Sequence, residues 1–108
     1  MKISELHNLG FTCLQDQFND GELAGGYTSD LLSDVMANLG EREVLITIQA
    51  HRNTIAVASL AGASAIVFCH GRTVDADVAE VAAKEGIALF GTSENQFTTT
   101  CKIAAALR

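Results

Sequence analysis

The fold of this chain is decided by residues 44–53, which read VLITIQAHRN. Residues Val44–Gln49 are apolar and β-branched with little interruption, a pattern typical of a strand that is buried on both faces of a sheet. A short polar loop follows at once, and Asn53–Ala61 is then nearly all apolar, which predicts a buried helix. A strand, a loop and a helix in this order indicate a β-α unit of a parallel sheet.

The same layout of apolar run, polar loop and helix start occurs four times, with loops at residues 27–30, 49–53, 70–75 and 91–93. Because the carboxyl ends of parallel strands meet at one edge of a sheet, we expect the loops to gather there, where open α/β sheets bind ligands. The predicted fold is therefore α/β, a mainly parallel sheet flanked by helices.

Periodicity, glycine stops and capping residues give the bounds of the remaining elements. The predicted strands are Phe11–Leu14, Leu23–Tyr27, Val44–Gln49, Ala65–Cys69 and Ile87–Phe90. The predicted helices are Ile3–Leu9, Asp30–Leu39, Asn53–Ala61, Asp75–Glu85 and Ser93–Leu107. Ser29 or Asp30 is expected to cap the second helix, and Ser93 with Gln96 matches a capping box for the last one.

Length and composition exclude several classes of protein. With 108 residues, 48% of them hydrophobic, the chain is predicted to be one domain, residues 1–108. A formal net charge of -6 disfavours nucleic-acid binding, which needs a basic surface. No apolar run reaches the ~20 residues that span a bilayer, and the amino terminus lacks the apolar core of a signal peptide. We therefore expect a cytoplasmic protein that binds no membrane.

The three cysteines are predicted to be reduced, buried side chains. Cys13, Cys69 and Cys101 lie far apart, and no C-x-x-C motif occurs. A metal site built from His51, Cys69 and His70 lacks any motif spacing, so neither a metal nor another cofactor is expected.

Two glycines stand just before the first polar loop. Gly25 and Gly26 permit positive φ or a close backbone approach, and Tyr27, Ser29 and Asp30 follow them directly. Polar residues at a helix start leave backbone N–H groups that can hold an anion. The alternative is a tight turn with an ordinary helix cap.

Two other loops each carry a histidine followed closely by an arginine. These are His51-Arg52 and His70-Gly71-Arg72, each placed after a buried strand and before a helix. Arginine presents a planar fork of donors that matches carboxylate or phosphate, and histidine can donate, accept or change its charge near neutral pH. The pairs are expected to converge at one edge, beside Gly25-Gly26, and to bind a small anion such as a nucleotide or phosphorylated metabolite.

The predicted ligand-binding set joins these loops and carries no catalytic role. It comprises Gly25, Gly26, Tyr27, Ser29, Asp30, Gln49, His51, Arg52, Asn53, His70 and Arg72. The alternative interpretation is that the basic side chains are solvated and pair locally with Asp30 or Asp75.

Three segments of the chain, residues 25–36, 46–51 and 53–58, resemble the DRTGG domain family, whose fold is similar to the N-terminal domain of HPr kinase/phosphorylase. The resemblance covers essentially the whole chain, and Gly25-Gly26 is identified with the GG of the family name. The preceding residues are Glu22-Leu23-Ala24 rather than Asp-Arg-Thr. The resemblance implies a regulatory module that forms homodimers and occurs alone or beside CBS and catalytic domains.

Kinase activity is not expected, because phosphoryl transfer in that enzyme needs a P-loop and this chain has no Gly-Lys-Ser or Gly-Lys-Thr. The leading hypothesis is a non-enzymatic module that senses a small anionic ligand. The alternative is a homodimeric interaction module that serves a larger enzyme complex. A homodimer is expected because a small domain with nearly all-apolar helices has few other means of covering them.

Overall fold

The computed structural model describes residues 1–108, and its centre is a five-stranded sheet. The strands are β1 (Thr12–Gln15), β2 (Gly25–Thr28), β3 (Glu43–Thr47), β4 (Ala65–Phe68) and β5 (Ala88–Gly91). They lie in the order β1-β5-β4-β3-β2, with β2 to β5 parallel and β1 antiparallel to β5. The predicted α/β fold with a mainly parallel sheet is confirmed.

Helices cover both faces of the sheet. They are a 3₁₀ helix (Ile3–Leu9), α1 (Leu32–Asn38), α2 (Arg52–Ala61), α3 (Ala76–Glu85) and α4 (Gln96–Ala106). Buried side chains of α1, α2 and α3 share one apolar core, and those of the 3₁₀ helix and α4 share another. No helix has the length and apolar character that a bilayer crossing requires.

Strand β3 supplies both cores, as its sequence predicts. Leu45 belongs to the core under α1, α2 and α3, whereas Val44 and Ile46 belong to the core under α4. Neighbouring β4 alternates in the same way, with Ile66 on one side and Val67 on the other. Successive side chains of a strand point to opposite faces, so an unbroken apolar run fits a strand covered on both sides.

Two helix starts differ from the prediction by two or more residues, whereas α2 and α3 each start within one residue of the predicted position. Helix α1 begins at Leu32 instead of Asp30, and its N-cap position is Leu31. The Ser93 capping box is wrong, since the last helix is capped by Asn95, whose Oδ1 accepts a hydrogen bond from Thr98 N at 2.9 Å.

Gly25 and Gly26 form no turn, and the prediction that they lie beside the histidine-arginine loops is wrong. The predicted close backbone approach, within the predicted second strand, is confirmed. Both glycines lie inside β2, paired with Glu43 and Val44 at the amino end of the parallel strands. Neither adopts positive φ. A Cβ on Gly26 would come within 3.3 Å of Val44 Cγ1, so close packing explains a small residue there. The two glycines therefore lie near the amino ends of the parallel strands, and the loops that follow β3 and β4 lie at the carboxyl ends.

The cysteine prediction holds in part. All three thiols are free, but Cys69 alone is buried, while Cys13 and Cys101 are exposed. Burial raises the pKa of the Cys69 thiol, which keeps it protonated and unreactive at neutral pH.

A strained turn follows β4. His70 and Gly71 have φ of 60° and 63°, and Arg72 N donates a hydrogen bond to Cys69 O at 3.3 Å. Two successive residues with positive φ are typical of a type I′ turn, in which Asn-Gly is the favoured pair. A histidine in the left-handed region is less favourable than an asparagine at the same place.

We therefore expect His70→Asn to raise the free energy of unfolding by about 0.5–1 kcal/mol, because asparagine tolerates this backbone better. His70→Val should lower it by roughly 1–3 kcal/mol, since a β-branched residue resists positive φ. Urea denaturation of the three proteins measures both changes. Equal stability of the asparagine and valine variants would contradict the strained turn.

Candidate ligand cleft at the carboxyl edge of the sheet

The loops after β3 and β4 leave the sheet side by side. The two strands are parallel neighbours whose last paired residues are Thr47 and Phe68. The loops that carry His51-Arg52 and His70-Arg72 therefore start at the same edge of the sheet. The shared edge predicted from the sequence is confirmed.

An open cleft of about 300 Å³ lies at this edge, between the first turns of α2 and α3. Its lining residues are Ala50, His51, Arg52, Asn53, Asp75, Asp77 and Val78. The basic groups and Asn53 come from the α2 side, and the two carboxylates come from the α3 side. The cleft thus has one basic wall and one acidic wall.

Neither helix that borders the cleft is capped by a side chain. His51 occupies the N-cap position of α2 with an extended backbone, and Asp75 does the same for α3. Neither side chain accepts a hydrogen bond from its helix. The first N–H groups of a helix have no intrahelical partner, so uncapped ends favour an anion from outside.

One ion pair crosses the cleft. Arg52 Nη1 lies 4.0 Å from Asp77 Oδ2, and the two side chains are 67% and 59% exposed. Exposed pairs at this distance contribute little to stability and exchange readily with solvent. The sequence offered Asp30 or Asp75 as the local partner of the arginines, but the partner of Arg52 is Asp77.

The second histidine-arginine pair stays outside the cleft. His70 N donates to Glu94 O at 2.9 Å, and Gly71 N donates to Thr92 O at 2.9 Å. These bonds hold the loop against the segment that joins β5 to α4, and neither His70 nor Arg72 lines the cleft. The two pairs share an edge without converging on one site, so that part of the prediction is wrong.

Asp30 does not line the cleft, but it stabilises the strand end from which the loop to His51 begins. Its Oδ1 accepts hydrogen bonds from Thr47 Oγ1, Ile48 N and Gln96 Nε2, each at 2.9 Å. The carboxylate therefore fixes the end of β3, where the loop toward His51 begins, and ties it to α4. Gln49 continues this loop, with its N–H donating to Thr47 Oγ1 at 3.1 Å and its carbonyl accepting from the Thr54 hydroxyl.

Tyr27 and Ser29 make hydrogen bonds to α1 and to its N-cap residue, and neither lines the cleft. The Tyr27 hydroxyl donates to Asp34 Oδ2 at 2.8 Å, and Ser29 Oγ accepts from Leu31 N at 3.3 Å. Hydrogen bonds from Ser29 and Tyr27 lower the pKa of Asp34 below its usual value. The same contact with Asp34 raises the pKa of the Tyr27 hydroxyl.

The predicted ligand-binding set did not include the acidic wall of the cleft: Asp75 was offered only as a local partner of the arginines, and Asp77 was missed. Asp75 and Asp77 begin the helix after β4, and β4 lies next to β3. The topological argument that placed His51 at the edge would have placed these carboxylates opposite it. The structure brings no three His, Cys, Asp or Glu side chains together as metal ligands.

Residues 28–106 match the model of the DRTGG domain. The chain belongs to the DRTGG domain family. The match begins after Gly25-Gly26, so these glycines, identified from the sequence as the GG of the family name, lie outside the matched residues. No curated protein sequence matches this DRTGG domain.

The fold of this DRTGG domain is similar to a crystal structure of the CBS and DRTGG domains from the regulatory region of Clostridium perfringens pyrophosphatase, complexed with its activator diadenosine tetraphosphate. The TM-score is 0.74 at 15% sequence identity, covering 94% of this chain and 45% of that chain. At this identity the likeness establishes the fold. The DRTGG domain described here spans less than half of that chain.

Asp30→Ala should lower the free energy of unfolding by about 2–3 kcal/mol, because it leaves the buried Thr47 hydroxyl and the Ile48 N–H without their acceptor. Asp30→Asn keeps an oxygen at the same place and should cost roughly 1 kcal/mol. Asp77→Ala, an exposed carboxylate of the same edge, is the control, with a change within about 0.5 kcal/mol. Thermal denaturation measures all three, and an Asp30→Ala protein as stable as Asp77→Ala would contradict the role of Asp30.

Tyr27→Phe should raise the pKa of Asp34 toward its ordinary value, since one of the hydrogen bonds that hold it down is removed. A carboxyl group with a lowered pKa in the folded state stabilises the fold at neutral pH, and the effect disappears as the pH falls through that pKa. The wild type and the variant should therefore differ in stability at neutral pH and become alike in acid. Carboxyl NMR titration gives the pKa, and an unchanged Asp34 would contradict the assignment.

Proposed function

We propose that this DRTGG domain is a regulatory module that binds a small anionic ligand, a nucleotide or a phosphorylated metabolite, in the cleft between α2 and α3. The observation that carries the proposal is the uncapped start of α2, where His51, Arg52 and Asn53 line one wall. Backbone N–H groups at such an end point toward an anion and carry the positive end of the helix dipole.

Arg52 is suited to exchange its present partner for a ligand. Its pair with Asp77 spans 4.0 Å between largely exposed groups, so little free energy is lost when the guanidinium turns away. A phosphate would accept two parallel hydrogen bonds from the same guanidinium, which is a stronger arrangement. The pair with Asp77 therefore holds Arg52 at the cleft while leaving it available.

The acidic wall favours a ligand that carries hydrogen-bond donors as well as an anionic group. Asp75 and Asp77 repel a bare phosphate but accept hydrogen bonds from hydroxyl or amino groups. A nucleotide or sugar phosphate offers both features, with its phosphate toward α2 and its hydroxyl groups toward α3. This arrangement explains why an acidic wall and a basic wall face each other.

The structural neighbour supports a regulatory role. It belongs to the regulatory region of a pyrophosphatase and is complexed with an activator, the nucleotide diadenosine tetraphosphate. By likeness of fold, the present domain would act on an enzyme in the same way. It would carry no catalysis of its own, which agrees with the lack of a P-loop.

The test is thermal stabilisation by ribose 5-phosphate, ADP and diadenosine tetraphosphate, with inorganic phosphate as the simplest probe. At ~100 times its Kd a ligand adds about 2.7 kcal/mol, a shift in Tm of roughly 10–20 °C for a domain of this size. Arg52→Ala should abolish most of the shift. Arg72→Ala is the matched control, since Arg72 is exposed at the same edge but does not line the cleft, and it should keep the shift.

Three outcomes would overturn the proposal. The first is no stabilisation of the wild type by any of the probes. The second is an equal shift in wild type and Arg52→Ala, which would place the ligand elsewhere. The third is an equal loss in the Arg52 and Arg72 variants, which would indicate attraction by the summed charge of the edge instead of a site.

A further inference from the structure

The two edge strands of the sheet, β1 and β2, differ in how they are protected against pairing with a strand of another molecule. At one edge, β1 carries an irregular register between Cys13 and Gln15, and Gln15 Nε2 donates to Ile87 O at 2.8 Å. At the other edge, β2 reads Gly-Gly-Tyr-Thr, with no charge, proline or bulge. Its outward backbone groups have no strand to pair with. Edge strands without such protection are templates for pairing with another strand.

Exposed apolar side chains flank this open edge in the layer of α4. Phe97 is 78% exposed, and Cys101 and Ala104 follow on the same helical face at spacings of four and three residues. Thr100 Oγ1 lies 2.8 Å from Thr28 Oγ1, which places α4 directly beside the edge strand.

The layer of α1 also presents apolar side chains. Leu31 and Met36 are 65% and 58% exposed, and Tyr27 of β2 reaches Asp34 of the same helix. Apolar side chains are thus exposed in the helix layers on both sides of the sheet.

A small hollow of about 90 Å³ opens beside β2. It is lined by Gly26, Thr28, Ile46, Thr100, Ile103, Ala104 and Leu107. Gly26 has no Cβ to occupy the hollow, so there is room for a small side chain from outside. The hollow, the strand edge and the exposed face of α4 form one continuous surface, which we call the β2 surface.

We propose that the β2 surface binds a second copy of this chain, with the two β2 strands antiparallel, so that the sheets join across a two-fold axis. The charge distribution selects this occupant. The domain has a net charge of -6, and copies of an acidic protein can meet closely only where the surface is uncharged. Residues 25–28, Phe97, Cys101 and Ala104 carry no charge. The bordering carboxylate of Asp34 has both oxygens bonded within its own copy, to Tyr27 and Asn38. A basic partner would be drawn to the acidic surface elsewhere.

The pleat of the strand fixes the register. With a two-fold axis perpendicular to the sheet, the faces covered by α4 in the two copies lie on the same side of the joined sheet. A residue whose side chain points toward α4 must therefore pair with a residue of the other copy that also points toward α4. Centring the pair on Tyr27 meets this condition and sets Thr28 of one copy opposite Gly26 of the other. The Thr28 methyl group then lies at the hollow that Gly26 leaves open. Centring on Gly26 would set glycine against glycine and leave the hollow empty.

The helices above the strands agree with this arrangement. Helix α4 packs on β2 and β3, so the two copies of α4 would lie near the ~8–10 Å separation of packed helices. They would run antiparallel, which brings Phe97 of one copy toward Ala104 of the other. The exposed aromatic side chain is then covered by a small residue.

The first test is the oligomeric state, measured by analytical ultracentrifugation over micromolar concentrations. The wild type should be a dimer, and Phe97→Glu should weaken the dimer on the order of 30-fold or more, because an aromatic contact is lost and a charge would be buried against Ala104 of the other copy. Leu60→Glu is the matched control. Leu60 is also 78% exposed, but it lies on α2, between α1 and α3 and away from β2, so this variant should stay dimeric.

The second test reads the register. In a Cys13→Ser, Cys101→Ser background, Tyr27→Cys should form a covalent dimer on mild oxidation, because residue 27 faces its own copy across the axis. Leu60→Cys in the same background should not. Amide hydrogen exchange provides a measurement without substitution at β2: the amides of Gly26 and Thr28, which point away from β3, should be protected in the wild type and lose protection in Phe97→Glu.

A wild type that remains monomeric at these concentrations would overturn the proposal. So would dissociation by Leu60→Glu together with an intact Phe97→Glu dimer, since the contact would then involve α2. A dimer with unprotected β2 amides and no cross-link at position 27 would show that the copies meet elsewhere.

Discussion

A single carboxylate oxygen joins three layers of this domain. Oδ1 of Asp30 accepts hydrogen bonds from the end of β3, through Thr47 and Ile48, and from α4, through Gln96. Asp30 itself belongs to the connection between β2 and α1. The Asp30 carboxylate therefore ties the connection between β2 and α1 to the end of β3 and to the start of α4. The cleft and the β2 surface both adjoin these elements, so both depend on that contact.

The same carboxylate contacts elements that adjoin both proposed surfaces. A ligand that binds His51 and Arg52 acts on the loop that begins at Ile48, and the Ile48 N–H is bonded to Asp30. Gln96, bonded to the same oxygen, immediately precedes Phe97 on the β2 surface. Two sites are coupled when both bias one shared element. Asp30 is the residue whose hydrogen bonds reach both the loop of the cleft and the helix of the β2 surface.

The strands could be predicted from the sequence because burial on both faces leaves an unbroken apolar run, as at Val44–Ile46 and Ala65–Phe68. The common edge of the loops follows from parallel order alone. The caps could not be predicted, because Asp30 has the chemistry of a cap and its tertiary partners are distant in sequence. The Gly25-Gly26 pair was misread for a similar reason. Close packing inside a strand and a tight turn demand the same small residue.

The alternation of side chains along β3 divides the interior into two cores that close at different times. The core under α1, α2 and α3 uses residues 35–89, in chain order from Val35 to Leu89. The opposite core needs Ile3 and Ile103 together, so it joins both ends of the chain. Contacts of such long sequence separation form slowly. During synthesis on the ribosome, one apolar face of the sheet therefore stays uncovered until α4 emerges, and in that interval the nascent chain is most prone to aggregate.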